Sequence, residues 1–206
     1  MAEDPSAASG RDEEARLLER LIARDERAFF SLVRSYERRV FALVLRMLGN
    51  RAEAEDVAQE VFVQVFRSVA LFRGDSKLST WIFRIAVNLC KNRNKYLRVR
   101  HADTQQPLGT DDGSALGPNS GPYAGQFARP DEMMAGRQVE AIVQRAILEL
   151  DPSFRECLLL RDVEDMSYEE IASVTGLPEG TVKSRIHRAR AQLRGIVEEA
   201  LGEKIE

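Results

Sequence analysis

The chain has 206 residues, 44% of them hydrophobic and 31% charged, and its formal net charge is -3 at pH 7. That length holds one large domain or two small ones, and the slightly acidic balance excludes a uniformly basic nucleic-acid coat, so any DNA contact has to come from local patches. Cys90 and Cys157 lie far apart in apolar helical patterns, with no CxxC and only two histidines, which reads as reduced core thiols in a cytoplasmic protein with no metal and no cofactor. Residues 1–14 are acidic and polar without an apolar core, so they read as a disordered tail and not as a signal peptide. No stretch is long and apolar enough to insert in a membrane.

From Leu17 to about Val99 the pattern is helical. Phe29, Leu32, Val33, Tyr36, Val40, Leu43, Val44 and Met47 recur at three- and four-residue spacing, which predicts an amphipathic helix stopped near Gly49-Asn50. A second helix is predicted from about Ala52 to Val69, since the i, i+4 pairs Val57/Val61 and Phe62/Phe66 outweigh the strand-like look of Val61 to Phe66. A loop from Leu71 to Ser79 leads to a third helix that begins near Thr80 and runs into a basic tail. Residues 101–130 then turn to Gly, Pro, Ser, Asp and Gln, a composition that cannot build a core and reads as a flexible linker. Helical periodicity returns from about Asp131. The expected fold is all-α, with two small helical domains, an N-terminal bundle and a C-terminal helix-turn-helix, on a tether.

The C-terminal half carries the sharper motif. Ser167 with Glu170 three residues later forms a capping box, Gly176 ends the short helix it opens, and a second helix is predicted from about Thr181 to Ile196. Ile171, Val174, Leu177, Val182, Ile186 and Leu193 are spaced to bury one shared face, and small Ala172 lets the two helices approach. Thr181, Ser184, Arg185 and Arg188 form an outward stripe free of acids, flanked by Lys183, His187 and Arg190. In a helix-turn-helix such a stripe enters the major groove, where Arg reads guanine and the flanking cations hold phosphates.

In the N-terminal half, Asp56, Glu60 and Gln64 share a helix face, with Gln59, Val63 and Arg67 on the adjacent row. This is either a solvated face or, given its acids, amides and exposed Val, a protein contact. The loop Phe72-Arg73-Gly74-Asp75-Ser76-Lys77-Leu78-Ser79 precedes a helix on which Trp81, Arg84, Asn88 and Lys91 share a face, with Asn92 and Lys95 beside it and Ile82, Ile85, Ala86 and Leu89 pointing inward. Aromatics among amides and cations suit single-stranded nucleic acid: rings to stack on, amides for base edges, charge for phosphates. Trp81 also fits a plain core anchor.

These residues resemble a known family. The runs Ala54-Glu55-Asp56-Val57-Ala58-Gln59-Glu60-Val61-Phe62, Phe72-Arg73-Gly74-Asp75-Ser76 and Thr80-Trp81-Ile82-Phe83-Arg84-Ile85-Ala86-Val87-Asn88 are similar to the first conserved domain of extracytoplasmic-function (group IV) sigma factors of the sigma-70 family. The runs Leu150-Asp151-Pro152, Ser167-Tyr168-Glu169-Glu170-Ile171-Ala172 and Gly180-Thr181-Val182-Lys183-Ser184-Arg185 are similar to their last domain. The resemblance implies a region 2 domain at 15–100, a region 4 domain at 131–206, and an alternative sigma factor that binds core RNA polymerase, recognises two promoter elements and nucleates melting. It further implies that Asp56, Gln59, Glu60, Val63, Gln64 and Arg67 dock on the clamp coiled coil of the polymerase largest subunit, the flap of the second subunit being a further contact. Phe72, Arg73, Gly74, Asp75, Ser76 and Lys77 would capture a flipped base. Trp81, Arg84, Asn88 and Asn92 would flank the strand junction. Lys91, Arg93, Lys95, Arg98 and Arg100 would neutralise the duplex upstream, and the stripe from Thr181 to Arg190 would read the distal element. An anti-sigma protein is an implied partner. The linker departs from the family in length and composition, and its Asp103, Asp111 and Asp112 offer a nucleic-acid mimic.

Two rival readings stand beside this one. A plain helix-turn-helix regulator would bind duplex DNA stably without polymerase. A metal enzyme would need Glu53, Glu55, Asp56 and Glu60 as ligands, yet the helix from Trp81 to Arg93 supplies no facing acid, and neither an ExxH motif nor a phosphate loop is present.

Overall fold

A computed structural model describes the backbone of residues 5–103 and 130–202 and the side chains of residues 13–100 and 139–202. Among these residues, eight α-helices and one 3-10 turn make up the regular structure. The N-terminal half contains α1 (Pro5–Ile22), α2 (Glu26–Leu48), α3 (Arg51–Ser68), the 3-10 turn Val69–Leu71, and α4 (Leu78–Asp103). The C-terminal half contains α5 (Pro130–Glu149), α6 (Pro152–Asp162), α7 (Tyr168–Thr175) and α8 (Glu179–Leu201).

Local chemistry sets the helix ends. Asp25 caps α2 by accepting from the backbone N–H groups of Arg27 and Ala28. Gly49 closes α2 in the left-handed region at φ 75°, and Asn50 immediately caps α3 through the N–H of Glu53. A left-handed glycine followed by an N-cap turns the chain within two residues. Asp151 caps α6, and Pro152 sits in its first turn, where its missing donor costs nothing. Ser167 and Glu170 form the full reciprocal capping box on α7, and Gly176 ends that helix at φ 75°.

Three boundaries differ from the sequence reading. The expected tail 1–14 is helical from Pro5, residues 1–4 lying outside those described. Near its described side chains this helix is tied into the fold: the Glu14 carboxylate accepts the backbone N–H of Leu78, the otherwise unsatisfied first donor of α4. Helix α8 continues past Ile196 to Leu201. The ends of the expected linker 101–130 are helical, in α4 up to Asp103 and in α5 from Pro130. The rest of the linker, Asp111 and Asp112 included, lies outside the described residues, as does the side chain of Asp103.

The two halves pack against each other. Helix α4 lies on α7, and α2 on α5 and α6. One hydrophobic core runs from Leu32, Val40 and Leu43 through Phe83 and Cys90 to Cys157, Leu159, Ile171 and Ile186, all essentially inaccessible to solvent. Burying an aliphatic or aromatic side chain of this size contributes about 1.5–3 kcal/mol, so this shared core is a substantial attachment. At one corner the approach is close: a Cβ built on Gly49, whose φ of 75° already favours glycine, would lie 2.8 Å from Leu148 Cδ1 of α5, and that side chain would have to shift. Among the described residues no helix is long and apolar enough to cross a membrane.

Candidate nucleic-acid and polymerase interfaces

Helix α3 buries Ala54, Val57, Ala58, Val61 and Val65 and thereby turns Asp56, Gln59, Glu60, Val63, Gln64 and Arg67 outward. All six are exposed, Val63 to 46%. The other half of the chain packs on α4 and α2 and leaves this face open.

The loop after the 3-10 turn is held at both ends, by Phe72 and by the Lys77 pair with Glu170. Phe72 is half-buried, and its ring centroid lies 5.2 Å from that of Trp81, tilted by 49°. Trp81 is itself only half-buried, packed on the margin of the core with part of its face available. Gly74 forms the tip at φ 76°, with nothing within 4 Å of where a Cβ would be. Arg73, Asp75 and Lys77 are exposed, and Ser76 is half-buried.

Helix α4 is covered on more than its expected inward face. Ile82 and Ala86 are buried and Ile85 and Leu89 half-buried, but Thr80, Phe83, Val87 and Cys90 are buried as well. The additional cover comes from α7 and from α2, whose Arg39 lies over the Phe83 ring. The Arg84 guanidinium donates to Ser173 of α7, and Lys91 Nζ lies 2.8 Å from Glu156 Oε1 of α6, off the line that a good hydrogen bond needs. Lys77 pairs with Glu170 at 2.9 Å. Asn88, Asn92, Lys95, Arg98 and Arg100 are exposed along the rest of α4. Arg93 is engaged within its own half, 2.5 Å from Glu53 and 3.9 Å from Glu60.

In α8 the apolar positions Val182, Ile186 and Ala189 are buried. Ser184, His187 and Arg188 are exposed, and Thr181 is half-buried. Lys183 lies 3.6 Å from Glu179 and over the Tyr168 ring, and Arg190 is clamped by Asp162, with Nε 3.0 Å from Oδ2. Arg185 departs from the expected outward stripe. It is half-buried and close enough to α6 that its charge favours the ionised forms of Glu156 and Asp151.

Sequence reasoning missed two carboxylates at the joint. Burial pushes the Glu156 carboxyl above its ordinary value against the pull of Lys91, and burial does the same to Glu164 against Arg39, which pairs with it at 2.9 Å. The available signal was Glu156 itself, an acid leading directly into the buried run Cys157 to Leu160. Burial and the nearby Glu156 push the Cys90 thiol to about 12 and the Cys157 thiol to about 11, which makes both poor nucleophiles. Among the described residues no group of His, Cys, Asp and Glu is arranged to hold a metal ion.

Comparison with known proteins matches residues 32–100 to Sigma-70 region 2 and residues 140–193 to Sigma-70, region 4. The chain is 37% identical to the RNA polymerase sigma-H factor of Pseudomonas aeruginosa over 87% of its own length and 91% of that protein. It is 38% identical to the ECF RNA polymerase sigma-E factor of Escherichia coli K12 over 84% of its length and 88% of that protein. In fold it is similar to CnrH, solved in complex with the cytosolic domain of CnrY, with a TM-score of 0.61 at 24% identity over 90% of this chain and 97% of that one. It is also similar in fold to the sigma factor RpoE of Bartonella quintana, solved with the anti-sigma factor NepR, with a TM-score of 0.59 at 22% identity over 82% and 96%.

Proposed function

The chain belongs to the extracytoplasmic-function sigma factors and is an alternative sigma factor for transcription initiation; from that premise we propose how its surfaces divide the work. Region 2 docks on the clamp coiled coil of core polymerase through Asp56, Gln59, Glu60, Val63, Gln64 and Arg67. Its loop from Phe72 to Lys77, with Trp81, Arg84, Asn88 and Asn92, receives the non-template strand as the promoter opens. Lys91, Lys95 and Arg98 neutralise the duplex upstream. Region 4 reads the distal element with α8 and meets the flap of the second subunit. The protein works in the cytoplasm, by binding and not by catalysis, and an anti-sigma factor is its natural antagonist, a reading supported by the fold-related RpoE of Bartonella quintana, solved in complex with the anti-sigma factor NepR.

The observation that carries this reading is the Phe72–Trp81 pair beside the empty glycine tip at Gly74. Two aromatic faces next to an unobstructed backbone suit a base taken out of its stack, because a stacked base hides its edges and needs a π-surface to replace the one it leaves. Arg93 is better assigned to holding α3 against α4, through Glu53, than to a phosphate.

The test is promoter-directed transcription with purified core polymerase. Wild type should give defined start sites. An Arg188→Ala variant should weaken initiation by about tenfold, since a base-reading arginine is worth about 1–3 kcal/mol and Arg188 stays exposed on α8. Trp81→Ala should leave duplex binding intact and impair opening, read by permanganate reactivity of unpaired thymines. Absence of start sites, with the protein alone shifting duplex DNA, would make a plain helix-turn-helix regulator the better account.

A further inference from the structure

The end of α2, the middle of α4 and the start of α6 meet around a cavity of about 190 Å³, open to solvent on one side, whose lining includes Met47, Lys91, Asn94, Ser153, Arg155 and Glu156. Among the described residues, three buried side-chain nitrogen or oxygen atoms lack a hydrogen-bond partner, and two of them, Arg155 Nε and Glu156 Oε1, belong to this lining. Lys91 Nζ, 2.8 Å from Glu156 Oε1, brings charge there without the alignment of a hydrogen bond. Orphaned buried atoms are rare in folded proteins, and a pair of them at one cavity calls for a partner from outside the chain. One is a donor and the other an acceptor, so that partner has to accept and to donate.

The charge around the cavity is also unbalanced. Arg155 spends Nη1 and Nη2 on the backbone carbonyls of Met47, Leu148 and Leu150 rather than on a carboxylate. Burial lowers its basicity; Asp151 pulls the other way, and the charge of Arg98 adds to the effect of burial. Glu156 lies within reach of Lys91 and Arg185. Four cations, Lys91, Arg98, Arg155 and Arg185, thus act around two carboxylates, Asp151 and Glu156. A water can bridge a donor and an acceptor but leaves that excess standing. Ser153 gives its N–H and its hydroxyl to Asp151, so Lys91, Asn94 and Arg155 are the donors that remain for a ligand.

We propose that this cavity binds a tetrahedral oxyanion that keeps a proton at neutral pH, hydrogen phosphate in the first place: its oxygens accept from Lys91, Asn94 and Arg155, and its P–OH donates to Glu156. The acid in the lining sets the selectivity. Sulfate has the same shape but no proton, so one of its oxygens would meet the Glu156 carboxylate lone pair to lone pair. A buried polar group left unpaired is how a site rejects an analogue that lacks one hydroxyl. The bound ion links α4 to α6 where region 2 and region 4 meet, and it strengthens that contact as its concentration rises. The site does not depend on which surface of α4 meets the promoter.

The experiment is calorimetric titration of the full chain, in a chloride buffer at pH 7 and constant ionic strength, with inorganic phosphate and separately with sulfate. Phosphate should bind one to one, about tenfold tighter than sulfate or more. Asn94→Asp, which sets a carboxylate of the same size in the cavity, should weaken phosphate binding by about tenfold. Glu156→Gln, whose amide can donate to either ion, should bring the two affinities together. In the wild-type chain, the phosphate titration followed by amide NMR should shift the Asn94 side-chain resonances, a localisation that needs no variant to fold. Absence of saturable phosphate binding, or equal binding of phosphate and sulfate by the wild type, would overturn the proposal. So would phosphate affinity unchanged in Asn94→Asp, or resonance shifts confined to Lys95 and Arg98, since either result would put the ion on the exposed basic end of α4 instead.

Discussion

Replacing Gly49 with alanine tests the packing of the two halves at its tightest point. Two costs combine there. The left-handed backbone at φ 75° costs about 1–2 kcal/mol for a residue with a Cβ. The new methyl would also lie 2.8 Å from Leu148 Cδ1 and 3.0 Å from Cδ2, so the half-buried leucine must leave its position, at about 0.5–1.5 kcal/mol for an off-rotamer side chain. Gly49→Ala should therefore destabilise the chain by about 2–3 kcal/mol in urea titration, and by about 1 kcal/mol less in a Leu148→Ala background, where only the backbone strain remains. Gly74→Ala is the control, with the same backbone sign at φ 76° but open space around it, so it should carry no coupling to Leu148. Additivity between Gly49→Ala and Leu148→Ala would refute the reasoning, because it would mean that α5 does not rest on the end of α2 in solution.

Three further outcomes follow from particular groups. Ser167→Ala removes half of the reciprocal cap on α7 and should cost about 1 kcal/mol in urea titration, whereas Ser167→Asp, which keeps an acceptor for the Glu170 N–H, should cost markedly less. The thiols at about 12 and about 11 sit above their ordinary 9.0 in the folded chain, so the stability they lend is fully present below pH 9 and is lost as pH climbs through 11 to 12; the urea midpoint should fall between pH 8.5 and 10.5 in wild type and fall less in a Cys90→Ala, Cys157→Ala variant. Glu156 and Glu164, also raised, favour the closed packing most below the ordinary 4.5 and progressively less as pH rises through their raised values. Burial pushes Glu170 up, but its bonds to Ser167 and Lys77 bring it below 4.5, so its share is lost only in more acid solution. Small-angle scattering should thus show a more compact chain at pH 5 than at pH 7.5, and expansion on that acidification would contradict the assignment.

The helix-turn-helix was legible because its determinants are local. Ser167, Glu170 and Gly176 act within a few residues of one another, and the buried positions Ile171, Val174, Val182 and Ile186 follow one helical period. The α3 face was legible for the same reason. What escaped depends on parts of the chain that meet only in space. Helix α1 extends back to Pro5, an extent that sequence composition argues against, and its Glu14 is tied to Leu78, 64 residues away. The second buried side of α4, at Thr80, Phe83, Val87 and Cys90, depends on helices distant in sequence, α7 as well as α2, whose Arg39 lies over the Phe83 ring. Periodicity placed Arg185 on an outward stripe, but a helix face is outward only with respect to its own hairpin, and here α6 offers Arg185 an acidic neighbourhood. Trp81 fell between its two readings, seated on the core and partly free.

Glu170 divides its two oxygens between separate tasks. Oε2 accepts the backbone N–H of Ser167 and completes the start of α7, while Oε1 faces Lys77 and Thr80 across the joint. Parting the halves frees the second oxygen and leaves the first bond in place. The start of α7 is therefore held by its own cap whether or not the halves are packed, whereas parting them also uncovers the apolar core that Ile171 shares with the N-terminal half. A glutamine at position 170 would retain the cap and give up the charge, so a single atom's change separates the folding of this motif from its attachment to the rest of the chain.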